Sequence, residues 1–175
     1  MDLLSHVFLP LILLAAIGKL KAKYAPLALL SILPDFDKLF FLGMLHSVVA
    51  TAPAFAALFY LERRIKHGYE ISVISSYFFF SHLFLDFLDG RYLPLLYPLS
   101  NIGIGMVYPA RLTISNGNVE ISNIVPNLVY KELDPSKFVQ KPYSLFSGPG
   151  FAAVFLFFSI LLFNLRRKSK LGNRN

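Results

Sequence analysis

The sequence predicts an all-α integral membrane protein of about four spans plus a half-span, with a small extramembrane segment containing a β-hairpin. Three observations carry this reading. Mean hydropathy is +0.57 and 55% of the 175 residues are hydrophobic, more than one soluble core of this length calls for. The apolar residues gather in runs approaching the ~20 needed to cross a bilayer. The formal charge of +7 is concentrated in three clusters: Lys19, Lys21 and Lys23; Arg63, Arg64 and Lys66; Arg166, Arg167, Lys168 and Lys170. Each cluster directly follows an apolar run, which is how membrane orientation is written. No basic–aromatic surface suggests nucleic acid as a partner. The chain contains no cysteine, so no disulfide framework exists and any metal must be held by histidine and carboxylate.

The elements follow in order. Leu3 to Gly18 is apolar apart from Ser5 and His6. A secretory signal carries its positive residues in front and a small-residue cleavage site behind; here Asp2 precedes the run and lysines follow it, so a retained helix is expected. Ala25 to Leu33 is about half a span in length. Pro34 ends it, ahead of Asp35-Phe36-Asp37. Leu39 to Leu61 is long enough to cross and runs into Glu62-Arg63-Arg64. Ile71 to Leu88 is the next expected span. From Gly90 to Tyr143 the chain is turn-rich. Within it, Ala110 to Ser115 and Val119 to Ser122 alternate around Asn116-Gly117, a strong hairpin signal. Gly148-Pro149-Gly150 introduces Phe151 to Leu165, the last expected span. The expected organisation is a helical membrane domain over 1–100, a β-rich extramembrane segment over 101–147, and a C-terminal helix with a basic tail over 148–175.

Placing all three basic clusters on the cytoplasmic side puts the C-terminus there too and the hairpin region outside. His6, Asp35, Asp37, His46, His82, Asp86 and Asp89 then all fall toward the outer face. Orientation rests on lysine and arginine alone, so this gathering is an independent agreement. His67 sits among arginines as a solvated histidine.

On a helix, His82 and Asp86 are one turn apart, and Asp89 falls on the same stripe. An imidazole and a carboxylate at that spacing can grip a divalent metal; equally, they can form a buried hydrogen bond that packs two helices. Ionisable groups at membrane depth face a partner or a cavity. Taken singly, His6 reads as an interfacial residue, Asp35 and Asp37 as groups favouring a helix N-terminus, and Ser47 beside His46 as small-residue packing. Those readings leave the shared depth unexplained. Imidazole plus carboxylate suits zinc, manganese or iron(II), with zinc the default. Asp35 and His46, eleven residues apart, would be separated by ~16 Å on a straight helix. Either the chain breaks between them, with Gly43 the obvious place, or one of the two is not a ligand.

Leu33-Pro34-Asp35-Phe36-Asp37, His46-Ser47, Ser81-His82-Leu83-Phe84-Leu85-Asp86 and Leu93-Pro94-Leu95-Leu96-Tyr97-Pro98, in that order and with a histidine at His6, resemble the YdjM-like family of membrane-bound metal-dependent hydrolases. The resemblance covers roughly residues 3 to 100. That family in turn is similar to the zinc-dependent phospholipase C and P1 nuclease group. The resemblance implies that His6, Asp35, His46, His82 and Asp86 are metal ligands, with Asp86 able to bridge two ions. Of the family's His-Arg-Gly-x-Thr-His-Ser pattern, Leu42-Gly43-Met44-Leu45-His46-Ser47 keeps only the final pair. Asp89 stands where threonine is frequent, and no histidine follows His82. One or two zinc ions, rather than three, is therefore the expectation.

The expected function is hydrolysis of a phosphoester such as a lipid headgroup, by an enzyme of the cell membrane whose active site faces outward. Membrane lipid is the expected partner and a phospholipid the expected substrate. Whichever of Asp35, Asp37 and Asp89 is not a ligand would be the general base, Asp37 and Asp89 being the two assigned a catalytic role. The alternatives are a non-catalytic metal-binding or structural membrane protein and a small transporter. The transporter is disfavoured by too few spans and no inverted repeat.

Overall fold

The computed structural model describes residues 2–37, 43–108, 111–115, 118–122, 125–134 and 145–172. They belong to two units, one made of Met1–Pro34, Phe59–His82 and Lys141–Asn175, the other of Asp35–Leu58 and Leu83–Gln140.

In the first unit, Asp2 starts helix α1 (Leu3–Ala16): its carboxylate accepts the Ser5 N–H at 2.9 Å, satisfying a donor the helix leaves open. The Ser147 hydroxyl donates to the same carboxylate at 2.6 Å. One aspartate thus ties the start of α1 to the start of the last helix, Gly148–Gly172. A side chain at Gly150 would collide with that carboxylate. At its other end α1 closes through Gly18, whose φ is +70°. The N–H groups of Lys19 and Leu20 return to the Leu14 carbonyl at 2.9 and 3.1 Å, the left-handed ending that glycine permits. Leu11 and Leu14 of α1 pack with Tyr24, Ala28 and Phe78 as the core of this unit.

Burial pushes the Asp2 carboxyl up, but hydrogen bonds from Ser147 and Ser5 outweigh it and hold the group below its ordinary value. The stability this contributes is present above the ordinary carboxylate pKa and is lost as pH falls through the lowered one. Asp2→Ala should cost about 1–2 kcal/mol, read as a lower unfolding temperature of the detergent-solubilised protein at neutral pH. The difference from wild type should shrink in acid.

Helix α2 (Val48–Lys66) turns into α3 (Glu70–Leu88) through His67, whose φ is +53°. The Glu62 carboxylate accepts the Ile71 N–H at 2.9 Å, and the Ser72 N–H and hydroxyl at 2.6 Å each. It caps α3 from the preceding helix. Glu70 in turn collects Lys21 at 2.5 Å, the Tyr24 hydroxyl at 2.5 Å, and Lys23. The last helix, α4 (Gly148–Gly172), packs beside α1, with Phe8 and Phe157 edge to face at 5.5 Å.

The expectation of about four spans plus a half-span is corrected here. Among the described residues two helical stretches are long and apolar enough to cross a membrane, Glu70–Leu88 and Gly148–Arg167, of 19 and 20 residues. Helix α1 has 14 residues, about 21 Å at 1.5 Å each, short of the ~30 Å hydrocarbon core. In the run from Leu39 to Leu61, residues 39–42 lie outside the described set. Gly43 then takes φ +93°, Met44–His46 is a 3-10 turn and Ser47 is extended. The helix that restarts at Val48 ends in Arg63, Arg64 and Lys66. The expected half-span is a 3-10 helix of six residues, Pro26–Ser31, about 12 Å long. A count of apolar residues does not register such breaks.

In the second unit, β1 (Ile102–Val107) pairs antiparallel with β4 (Asn127–Glu132), Ile102 opposite Glu132. Between them, β2 (Arg111–Ser115) pairs with β3 (Asn118–Ser122), Arg111 opposite Ser122. The inner pair is the expected hairpin; its Asn116-Gly117 turn lies outside the described residues. The outer pair escapes a pattern reading because β1 is Ile-Gly-Ile-Gly, and glycine weakens a strand signal. Here glycine is needed. A Cβ at Gly103 would strike the Leu133 side chain, and one at Gly105 would crowd the Arg91 carbonyl at 3.0 Å. That close approach lets Leu93 and Ile104 exchange both backbone hydrogen bonds at 2.9 Å, which fixes the chain just after α3.

Candidate metal centre

Breaks in the backbone place the polar groups. Asp35 lies in the 3-10 turn Leu33–Phe36, and His46 ends the turn Met44–His46. Because the chain bends at Gly43 rather than continuing as a helix, the ~16 Å separation of a straight helix never arises. The Asp37 carboxylate accepts the His46 N–H at 2.8 Å and sits 3.1 Å from His46 Nδ1. His46 Nε2 lies 3.7 Å from the Asp86 carboxylate. Ser47 holds this turn in place. It accepts the Ala50 N–H at 3.1 Å, and its hydroxyl reaches the Leu95 carbonyl at 3.1 Å and the Tyr97 carbonyl. The Leu93–Pro98 motif is thereby anchored beside His46. Helix α3 runs through the division between the units, so His82 and Asp86 are tied by the helix itself, one turn apart. Ligand atoms of Asp35, His46, His82 and Asp86 all lie within 4.8 Å of one another, and all four residues are buried.

The hydrogen bonds decide which nitrogen each histidine offers. His82 Nδ1 is 2.6 Å from the Ser31 carbonyl, and His6 Nδ1 is 2.7 Å from the Asp2 carbonyl. A carbonyl only accepts, so both Nδ1 atoms donate, and a neutral ring then carries its lone pair on Nε2. His46 Nδ1 faces the Asp37 carboxylate with the same consequence. Fixing Nδ1 on an oxygen so that Nε2 presents its lone pair is the usual support of a metal-ligating histidine.

Charge points the same way. Asp35, Asp37 and Asp86 are buried, and buried carboxylates are costly unless compensated. Arg91 lies 3.2 Å from Asp86 and 3.5 Å from Asp89. Burial pulls the His46 imidazole down, but Asp37 and Asp86 beside it win and raise its pKa. Two imidazoles and two carboxylates brought this close are a donor set that could hold a divalent cation, and their chemistry suits zinc, manganese or iron(II).

Of the residues expected to act, Asp35, His46, His82 and Asp86 form one group. His6 lies against this group, its ring stacked on His82 with centroids 4.0 Å apart. Asp37 supports His46 through two hydrogen bonds, and Asp89 lies beside Arg91 with its side chain 41% exposed. A sequence reading misses the Ser31 and Asp2 carbonyls that orient two of the histidines, since a backbone acceptor leaves no trace in residue identity.

The chain is mostly helical, with two candidate spans among the described residues and a buried imidazole–carboxylate group that could hold a metal ion. The chain matches the profile of the YdjM inner membrane protein family over residues 1–170. It belongs to that family. No curated protein and no solved structure matches it.

Proposed function

We propose that this protein is a metal-dependent hydrolase of phosphoesters, zinc being the metal, in one or two ions, and phospholipid headgroups the substrate class. The observation that carries the reading is the set of histidines whose Nδ1 atoms are each held by an oxygen, beside two buried carboxylates. A divalent cation bound there supplies Lewis acidity toward a phosphoryl oxygen. Arg91, 35% exposed at its side chain, can pair with a second phosphate oxygen. Asp89, more exposed and outside the buried group, is the better placed of the remaining carboxylates to accept a proton. Asp37 is committed to His46 and acts by holding it. A non-catalytic metal-binding role is favoured by one observation, the near-complete burial of His82 and Asp86 at 0% and 1% exposure.

The test is incubation of metal-loaded protein with mixed phospholipids and soluble phosphodiesters, followed by assay for released phosphorylated headgroup or free phosphate. Release supports hydrolysis. Verified metal with no turnover on any phosphoester moves the reading to the non-catalytic role.

The three basic clusters further suggest an active site facing outward and a cytoplasmic C-terminus. The chain has no cysteine of its own, so Asn116→Cys and His67→Cys can each be probed alone with an impermeant thiol reagent. Asn116→Cys should label from outside intact cells and His67→Cys only after lysis. Labelling of both from one side refutes this orientation.

A further inference from the structure

Helix α1 stops at Ala16 while α4 continues to Gly172. Past the Gly18 turn, α4 has lost its neighbour, and a pocket of about 320 Å³ opens there, near the lower end for small-molecule sites. Ala15, Gly18 and Leu20 form one wall, Leu161 and Leu165 the other. A Cβ on Gly18 would meet nothing within 4 Å, so that wall borders open space. The polar edge is Asn164 and Arg167. Asn164 is occupied in structure, donating to the Ala15 carbonyl at 3.0 Å. Arg167 closes the candidate span Gly148–Arg167, which puts it where an apolar helix leaves hydrocarbon for headgroups.

Among the described residues, only part of the basic charge near this pocket is paired. Lys21 and Lys23 are taken up by Glu70. Among the described residues, no carboxylate pairs with Lys19, Arg166 or Arg167. The face of α4 nearby is apolar and exposed, with Phe155, Leu162 and Phe163 each at least half open. A ligand here needs an apolar body and a negative end, and must approach from lipid. Basic residues at a helix end attract anionic lipid in the same way.

We propose that this pocket binds one anionic phospholipid, an acyl chain lying along Leu20, Leu161 and Leu165 and the phosphate on Arg167. The site is separate from the metal centre and does not depend on its chemistry. The test is native mass spectrometry of the full chain released from detergent, with phosphatidylglycerol or phosphatidylcholine of matched chains supplied. Phosphatidylglycerol should be retained at least about tenfold more strongly, and Arg167→Gln should reduce its retention by roughly tenfold. Leu161→Trp, which fills the pocket, should do the same; if that variant fails to fold, Arg167→Gln decides. Arg166→Gln removes the same charge one residue away from the lining and should change retention by less than about twofold. Asp86→Asn, which alters the metal centre's charge while keeping its shape, should retain the lipid as wild type does. Equal retention of the two lipids overturns the proposal. So does equal loss from both arginine variants, which would mean diffuse attraction, or loss in Asp86→Asn, which would put the lipid at the metal centre.

Discussion

His82→Ala strips the divalent metal from the purified protein while leaving the chain in the membrane. The ring supplies one of four donors held within 4.8 Å of one another, and nothing in an alanine replaces Nε2. Loss of a directly coordinating group should exceed the 10–100-fold typical of an outer supporting residue, so a fall of more than about a hundredfold in metal affinity is expected, and any phosphoester turnover should fall with it. The variant also removes the donor that the buried Ser31 carbonyl receives at 2.6 Å, at a cost of about 1–3 kcal/mol. Metal loss could then reflect damaged packing. Asp86→Asn separates the two effects because it keeps shape and removes charge: it should lose metal while unfolding near the wild-type temperature. Elemental analysis after dialysis gives the metal content. Unchanged content in both variants would make His82 and Asp86 a packing pair and nothing more.

How far the sequence led can be judged from particular residues. The one-turn spacing of His82 and Asp86 is local helix geometry, and α3 presents it as read. The Asn-Gly hairpin is equally local, and β2 pairs with β3 around it. The join between Asp35 and His46 was legible only as a conditional. It required a break, and the φ of +93° at Gly43 supplies one. Span number was misread because hydropathy sums composition over a window. It cannot see a 3-10 turn, a left-handed glycine, or a helix too short for the bilayer. The β1–β4 pair was invisible for a different reason: Gly103 and Gly105 are there to admit a neighbouring chain segment, and that neighbour is a tertiary fact. Histidine orientation by the Ser31 and Asp2 carbonyls belongs to the same kind.

Asp37, read from the sequence as a candidate proton acceptor, stands where it can support His46. Its carboxylate engages both the backbone N–H and the ring of His46, so it sets the turn and the tautomer together. Asp37→Ala should weaken metal affinity by roughly 10–100-fold, measured by competition against a chelator of known affinity. Asp37→Asn still offers an amide oxygen to one of the two donors but not the charge, so its loss should be smaller and recover part of the alanine deficit. Asp89→Asn, at an exposed position beside Arg91, should leave metal affinity within about twofold and act on turnover alone. The three variants together distinguish the roles, since support moves affinity and proton transfer moves rate. If Asp37→Asn abolished turnover with affinity intact, Asp37 would return to the part of general base, and the hydrogen bonds to His46 would be incidental to it.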